Sequence, residues 1–148
     1  MSRMGEAEVV EKDGQPCFAL TAKEASRGPH VRVHAVAVSD ESSKPVTDVW
    51  RASLDPARTP LSASACIAYG QADGDAIKPA SLKTGRVYQV YLNGRSSDPG
   101  DSTQGYIAKF CLMPGPGAGA IEGGEAKEAR KLVPVKPGMP AWRSGVCQ

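Results

Sequence analysis

Two runs decide the fold class: Arg86-Val87-Tyr88-Gln89-Val90-Tyr91-Leu92 and Tyr106-Ile107-Ala108-Lys109-Phe110-Cys111-Leu112. Side chains alternate across an extended strand. Tyr88, Val90 and Leu92 therefore share one face of the first run, and Tyr106, Ala108, Phe110 and Leu112 share one face of the second. Each run offers an apolar face to a core. The residues between them, Asn93 to Gly105, are turn formers: glycine, serine, aspartate and Pro99. The pattern predicts a hairpin. Tyr91 lies opposite in parity to the Val90 face and is expected to be the most exposed tyrosine.

Working outward, other runs alternate in the same way. Val31, Val33, Ala35 and Ala37 fall on one face of a strand over His30 to Ser39, with Arg32, His34, Val36 and Val38 on the other. Val46 to Leu54, with Trp50, reads as the next strand. Pro16 to Leu20 and Ala63 to Gly70 are short strands. Leu132 to Val135 is an edge strand, because Pro134 cannot donate a ladder hydrogen bond. Thr21 to Gly28 predicts one helical turn, with Thr21 as N-cap and Glu24 closing a capping box. Gln71 to Thr84 reads as loop with Ile77 and Leu82 as its apolar pair, and the tail from Trp142 to Cys147 is apolar enough to dock. Residues 1–15 read as a flexible lead-in that follows a removed signal or lipid anchor, and residues 16–148 as a single domain. The whole predicts an all-β protein, an Ig-like antiparallel sandwich of about seven short strands.

Composition sets bounds on function. With 148 residues, 41% hydrophobic and 5% aromatic, the chain builds one modest core punctuated by 16 Gly and 12 Pro. A net charge of +2 from 18 basic and 16 acidic residues gives no electrostatic case for nucleic acid. No apolar run approaches the roughly 20 residues that span a bilayer, and Met1 to Glu6 holds no signal core. Such a chain is either cytosolic or a mature exported protein.

The cysteines favour export. Cys17, Cys66, Cys111 and Cys147 are well separated and form no CxxC pair. That suits disulfides rather than zinc, although buried thiols pack equally well as small hydrophobes. Four cysteines allow three pairings, and sequence does not choose among them. The preferred set is Cys17–Cys66 and Cys111–Cys147. Cys17 and Cys66 both open strands in the N-terminal half, and Cys147 closes a tail that must lie near the last hairpin strand.

Chemistry-bearing motifs are sparse. The Gly-rich run 115–124 lacks the Gly-Lys-Ser/Thr ending of a phosphate loop and reads as a loop. His30 and His34, the only histidines, lie on one strand without a cysteine beside them, so neither a metal site nor a thiol nucleophile is expected. Asp98 and Asp101 flank Pro99-Gly100 without the regular carboxylate spacing of a calcium loop. No cofactor and no catalysis are expected. The predicted partner-binding residues are Arg95, Asp98 and Asp101, on a loop with fixed ends, together with Tyr91. The Gly-rich run is the second candidate.

Several short stretches carry a resemblance. They are Pro16-Cys17-Phe18, Trp50, Cys66-Ile67-Ala68-Tyr69-Gly70, Gly85 to Tyr88 with Tyr91-Leu92-Asn93, Gly105 to Leu112, and the closing Trp142 and Cys147. From Pro16 to Cys147 the chain resembles a group of small bacterial periplasmic lipoproteins described as immunity proteins of type VI secretion systems. The resemblance implies a non-catalytic protein that binds and neutralises a secreted effector toxin in the periplasm. It implies a lipid anchor too, although the lipidated signal cysteine that members carry is not found in this sequence. An envelope ligand-binding or adaptor lipoprotein without a toxin partner is the alternative.

Overall fold

The structure is a computed structural model, and it describes residues 3–27, 31–57, 60–72, 74–96, 98–114, 121–122, 125–126 and 130–147. The chain runs through β1 (Arg3–Lys12), β2 (Gln15–Leu20), α1 (Ala22–Ala25), β3 (Val31–Asp40), β4 (Thr47–Ser53), β5 (Pro60–Leu61) and β6 (Ile67–Ala68). It continues through β7 (Ala76–Ile77), β8 (Val87–Ser96), β9 (Thr103–Pro114), β10 (Ile121–Glu122), β11 (Glu125–Ala126), β12 (Arg130–Val135) and α2 (Pro140–Ser144). The protein is all-β and carries two disulfides. The expected hairpin is the β8–β9 pair, with Tyr88 opposite Phe110 and Val90 opposite Ala108.

The arrangement is not that of a seven-strand Ig-like sandwich. One curled ten-stranded sheet runs β6-β2-β1-β9-β8-β3-β4-β7, with β12 added to β9 and β5 to β3; β10 and β11 pair separately. The curl is made at β1. Its first half, Arg3 to Glu6, pairs in parallel with β9. Its second half, Ala7 to Lys12, pairs antiparallel with β2. A strand that changes partner along its length turns a corner and brings two layers face to face. β12 occupies the rest of the β9 edge that β1 leaves, with Leu132 opposite Leu112. The far ends of the sheet meet through side chains. Tyr69, just after β6, packs edge-on to Trp50 of β4 with centroids 5.1 Å apart, and its hydroxyl donates to Ala80 O at 2.8 Å.

Residues 3–15, expected within a flexible lead-in, instead hold β1 and the turn into β2. β1 lies inside the sheet, with Gly5, Ala7 and Val9 buried and Met4, Glu6, Glu8 and Val10 facing out or half-buried. A Cβ on Gly5 would stand 2.5 Å from the Tyr106 ring, so only glycine lets β1 approach β9 there. Arg3 ties the strand down. Its guanidinium donates to both carboxylate oxygens of Glu24 and to Thr103 Oγ1. Thr21 caps α1 by accepting from Glu24 N at 3.2 Å. The capping box stays half-made because Arg3 takes the carboxylate that would have closed it.

The core gathers Phe18, Trp50, Tyr88 and Phe110, all essentially inaccessible. Phe110 contacts Phe18 at 5.9 Å and Tyr88 at 5.6 Å. Burying each such ring is worth about 1.5–3 kcal/mol. On β3 the alternation read from sequence fails at one point. The pairing with β8 shifts between Val33 and Ala35. His34 is the extra residue of a β-bulge. Val31, Val33, Val36 and Val38 are therefore all buried, and Ala35 and Ala37 move to the outer face.

Candidate functional site

Both disulfides adopt the pairing preferred from the sequence. Cys17–Cys66 ties β2 to the segment before β6 with a Cα separation of 5.5 Å. Cys111–Cys147 ties β9 to the tail with a Cα separation of 6.1 Å. The described residues contain no free cysteine. Such bonds belong to an oxidising, extracytoplasmic environment. Among the described residues no helix is long and apolar enough to cross a membrane.

The tail covers part of the outer face of the sheet. Val87, Cys111, Val135 and Ala141 form a second small core there, with Met113 and Trp142 against it. Lys109 Nζ donates to Trp142 O at 2.7 Å and lies 4.7 Å from the centre of its ring.

Beyond the tail the outer face is open. A trough of about 460 Å³ runs across β4, β3 and β8. Ala35 and Ala37 form its floor, and their small side chains give it its depth. Tyr91 and Asn93 of β8 form one wall, with Arg51 and Ser53 of β4 opposite. Asp75 and Ile77 close the rim, and Ile77 is 54% exposed although apolar. Tyr91 is half-buried rather than freely exposed, because its ring lies over Gly105. A Cβ on Gly105 would meet Tyr91 Cε2 and its hydroxyl at 2.8 Å. This glycine holds the Tyr91 ring low against the sheet and gives that wall its shape.

The predicted recognition residues are divided between two places. Tyr91 is in the trough, and Arg95 follows two residues beyond Asn93 on the same outer face. β8 runs to Ser96 and β9 begins at Thr103, so the connection is shorter than the polar run in the sequence. Asp98 Oδ1 accepts from Gly100 N at 2.9 Å within the turn. Asp101 faces inward. It accepts from Thr103 N at 3.0 Å and Thr103 Oγ1 at 2.6 Å and lies 3.6 Å from Arg27, with a side chain only 5% exposed. These hydrogen bonds and the Arg27 charge hold its carboxyl below the ordinary range. Asp101 thus locks the loop to the Arg3–Glu24 cluster and does not join Tyr91 and Arg95. The Gly-rich candidate falls largely outside the described residues, as does His30. His34 is exposed on the bulge.

Sequence reading missed Asn93, Ala35, Ala37 and Ile77 as companions of Tyr91 in the trough, and Arg32 as the partner of Arg95 across the ladder. The available signal was a pair of alanines, two residues apart, in a strand otherwise rich in valine. The bulge hid their orientation. Among the described residues no group of three or more His, Cys, Asp or Glu is placed to hold a metal ion. Comparison with protein-family models, with curated proteins and with solved structures finds no match for this chain.

Proposed function

We propose that this protein is a non-catalytic immunity protein that binds and neutralises an effector toxin delivered to the periplasm by a type VI secretion system, held there by a lipid anchor ahead of β1. The observation that carries the reading is the outer-face trough. It has a floor of small side chains, an exposed apolar rim at Ile77 and an aromatic wall at Tyr91. The same sheet is stapled at β2 and at β9 by the two disulfides. A preorganised surface of this kind loses little entropy when a partner docks. The resemblance over Pro16 to Cys147 and the oxidising environment that two disulfides require support the same reading.

The test is protection. A candidate effector, sought among the genes beside this one, is expressed in the periplasm of a sensitive host, with and without this protein. Growth restored by the parent and lost with Ala37→Trp, which fills the trough, is the expected result. Failure of the purified effector and this protein to form a complex would end the immunity reading. The envelope ligand-binding alternative would then take its place, since a volume of about 460 Å³ also falls in the small-ligand range of about 300–1,000 Å³.

A further inference from the structure

At one end of the trough two arginines face each other across the ladder. Arg32 of β3 stands directly opposite Arg95 of β8 in the antiparallel register. Both are exposed on the outer face. Like charges placed this way repel. Among the described residues Arg3 pairs with Glu24, Arg27 with Asp101, Arg51 with Asp48 and Arg86 with Asp40, and Arg130 donates to Leu82 O at 2.6 Å. Arg95 reaches only the neutral Gln104 Oε1, at 3.3 Å. Among the described residues Arg32 has no carboxylate partner. Two exposed guanidinium groups set opposite each other on one face, without an acid between them, are complementary to carboxylates brought from outside.

The pair adjoins the trough. Ala35 stands opposite Asn93, two rungs along the ladder from Arg32 and Arg95, past the Val33–Gly94 pair and the bulged His34. From Arg95 to Tyr91 is four residues of strand, about 14 Å. A segment of four or five extended residues covers that length. At the other side of the trough Asp75 stands beside Ser53, whose amide donates to the Asp75 carbonyl, and its carboxylate repels a continuous polyanion laid along the whole groove.

We propose that the outer face of β3 and β8 binds an extended acidic–apolar segment of a partner protein. Its carboxylates pair with Arg32 and Arg95. Its apolar side chain sits on Ala35 and Ala37, between Tyr91 and Ile77. The proposal rests on the docking reading above and names the chemistry of what docks. The guanidinium pair steers and orients the segment, and the trough gives it grip.

The test uses ¹⁵N-labelled full-length protein and two capped hexapeptides, Asp-Asp-Ser-Leu-Leu-Ser and Lys-Lys-Ser-Leu-Leu-Ser. The acidic peptide shifts the amides of Ala35, Ala37, Tyr91, Asn93 and Arg95 saturably, and the basic one does not. Raising salt from about 50 to about 300 mM weakens binding, because the contact is charge-steered and exposed. Arg32→Gln with Arg95→Gln raises the dissociation constant roughly tenfold while melting no lower than the parent, since a repulsive pair is removed. Absent shifts, shifts mapping elsewhere, an equal response to the lysine peptide, or stronger binding of a single-stranded oligonucleotide than of the acidic peptide overturns the proposal. The candidate effector separates this inference from the immunity reading. An effector that binds the double glutamine variant as well as the parent sinks the acidic-segment proposal and leaves immunity standing. Saturable peptide binding at this face with no effector binding does the reverse.

Discussion

Replacing Cys111 and Cys147 together by alanine tests how the tail and the outer face are held. The two cysteines are 36 residues apart, and Cys17 and Cys66 are 49 apart. Closing loops of these lengths in the unfolded chain costs about 3.8 and about 4.1 kcal/mol at 25 °C in the chain-entropy account. The two bonds should therefore be worth nearly the same, although one ties two strands and the other only a tail. The native state adds a smaller packing loss at Cys111, which is 2% exposed and touches the small core under α2. A total loss of about 4–5 kcal/mol follows for Cys111→Ala/Cys147→Ala, or about 8–20 °C in melting temperature. The assay is urea unfolding followed by Trp50 fluorescence in a Trp142→Phe background, so that the signal comes from the core and not from the tail. The m-value should rise, because the uncrosslinked denatured chain exposes more surface. The Gly145 amide, which donates to Ala141 O, should lose hydrogen-exchange protection before the β8–β9 amides do, because a five-residue helix cannot persist alone. A loss below about 1.5 kcal/mol, or a Cys17→Ala/Cys66→Ala variant worse by more than about 2 kcal/mol, would refute loop closure as the main contribution.

Three other outcomes are expected. Deleting residues 1–12 removes β1 from inside the sheet, so the truncated chain should lose its cooperative melt and aggregate on size-exclusion chromatography; a dispensable lead-in would leave the melt unchanged. Gly105→Ala should cost about 1–3 kcal/mol, because the new methyl meets Tyr91 and the Leu92 carbonyl oxygen at under 3 Å, and it should shift the Tyr91 ring resonances; a neutral melt with unmoved resonances would contradict the packing. Stability should fall in acid as well as in strong alkali. Arg3 depresses the Glu24 carboxyl and Thr103 that of Asp101, so their contribution is present above the unfolded values of 4.5 and 3.8 and is lost as pH drops through the lower folded ones. Burial lifts Tyr69 and Tyr106 from 10.0 to about 12, so their contribution is present below pH 10 and is lost as pH climbs toward 12. Urea midpoints from pH 2 to 8 for the parent and for Glu24→Gln/Asp101→Asn, and a 295 nm tyrosinate titration, check the two limbs.

The β class and the hairpin were legible because Tyr88, Val90, Leu92 and Tyr106, Ala108, Phe110 alternate with large side chains over long runs. β1 was not legible, because its inward residues include Gly5 and Ala7. These are too small to register as an apolar face, and Gly5 is small because the Tyr106 ring needs the room. Its parallel pairing with β9 spans about a hundred residues of chain, and no local pattern encodes that. Glu24 carried the right capping signal for the wrong partner, since only the fold brings Arg3 to it. The turn chemistry around Asp98 was readable, but the inward orientation of Asp101 depends on Arg27 and Thr103 arriving from either side.

The bulge at His34 connects these local details to the docking surface. Without it, strict alternation would carry Ala35 and Ala37 inward with Val31 and Val33 and put Val36 and Val38 on the surface. The core would then lose two valines, each worth about 1.5–3 kcal/mol when buried, and the outer face would gain two branched side chains where the trough now lies. One extra residue reverses both. It keeps four valines inside and leaves only methyl groups on the floor between Tyr91 and Arg51. Arg32 lies ahead of the bulge and faces outward against Arg95. The valines alone would be satisfied by an unbulged strand with the valines and alanines exchanged, so core packing does not by itself require the irregularity. What the bulge adds is a recess beside a cationic pair on one rigid face. Bulges that re-aim side chains this way are over-represented beside functional sites, and this one stands where the trough and the unpaired arginines meet.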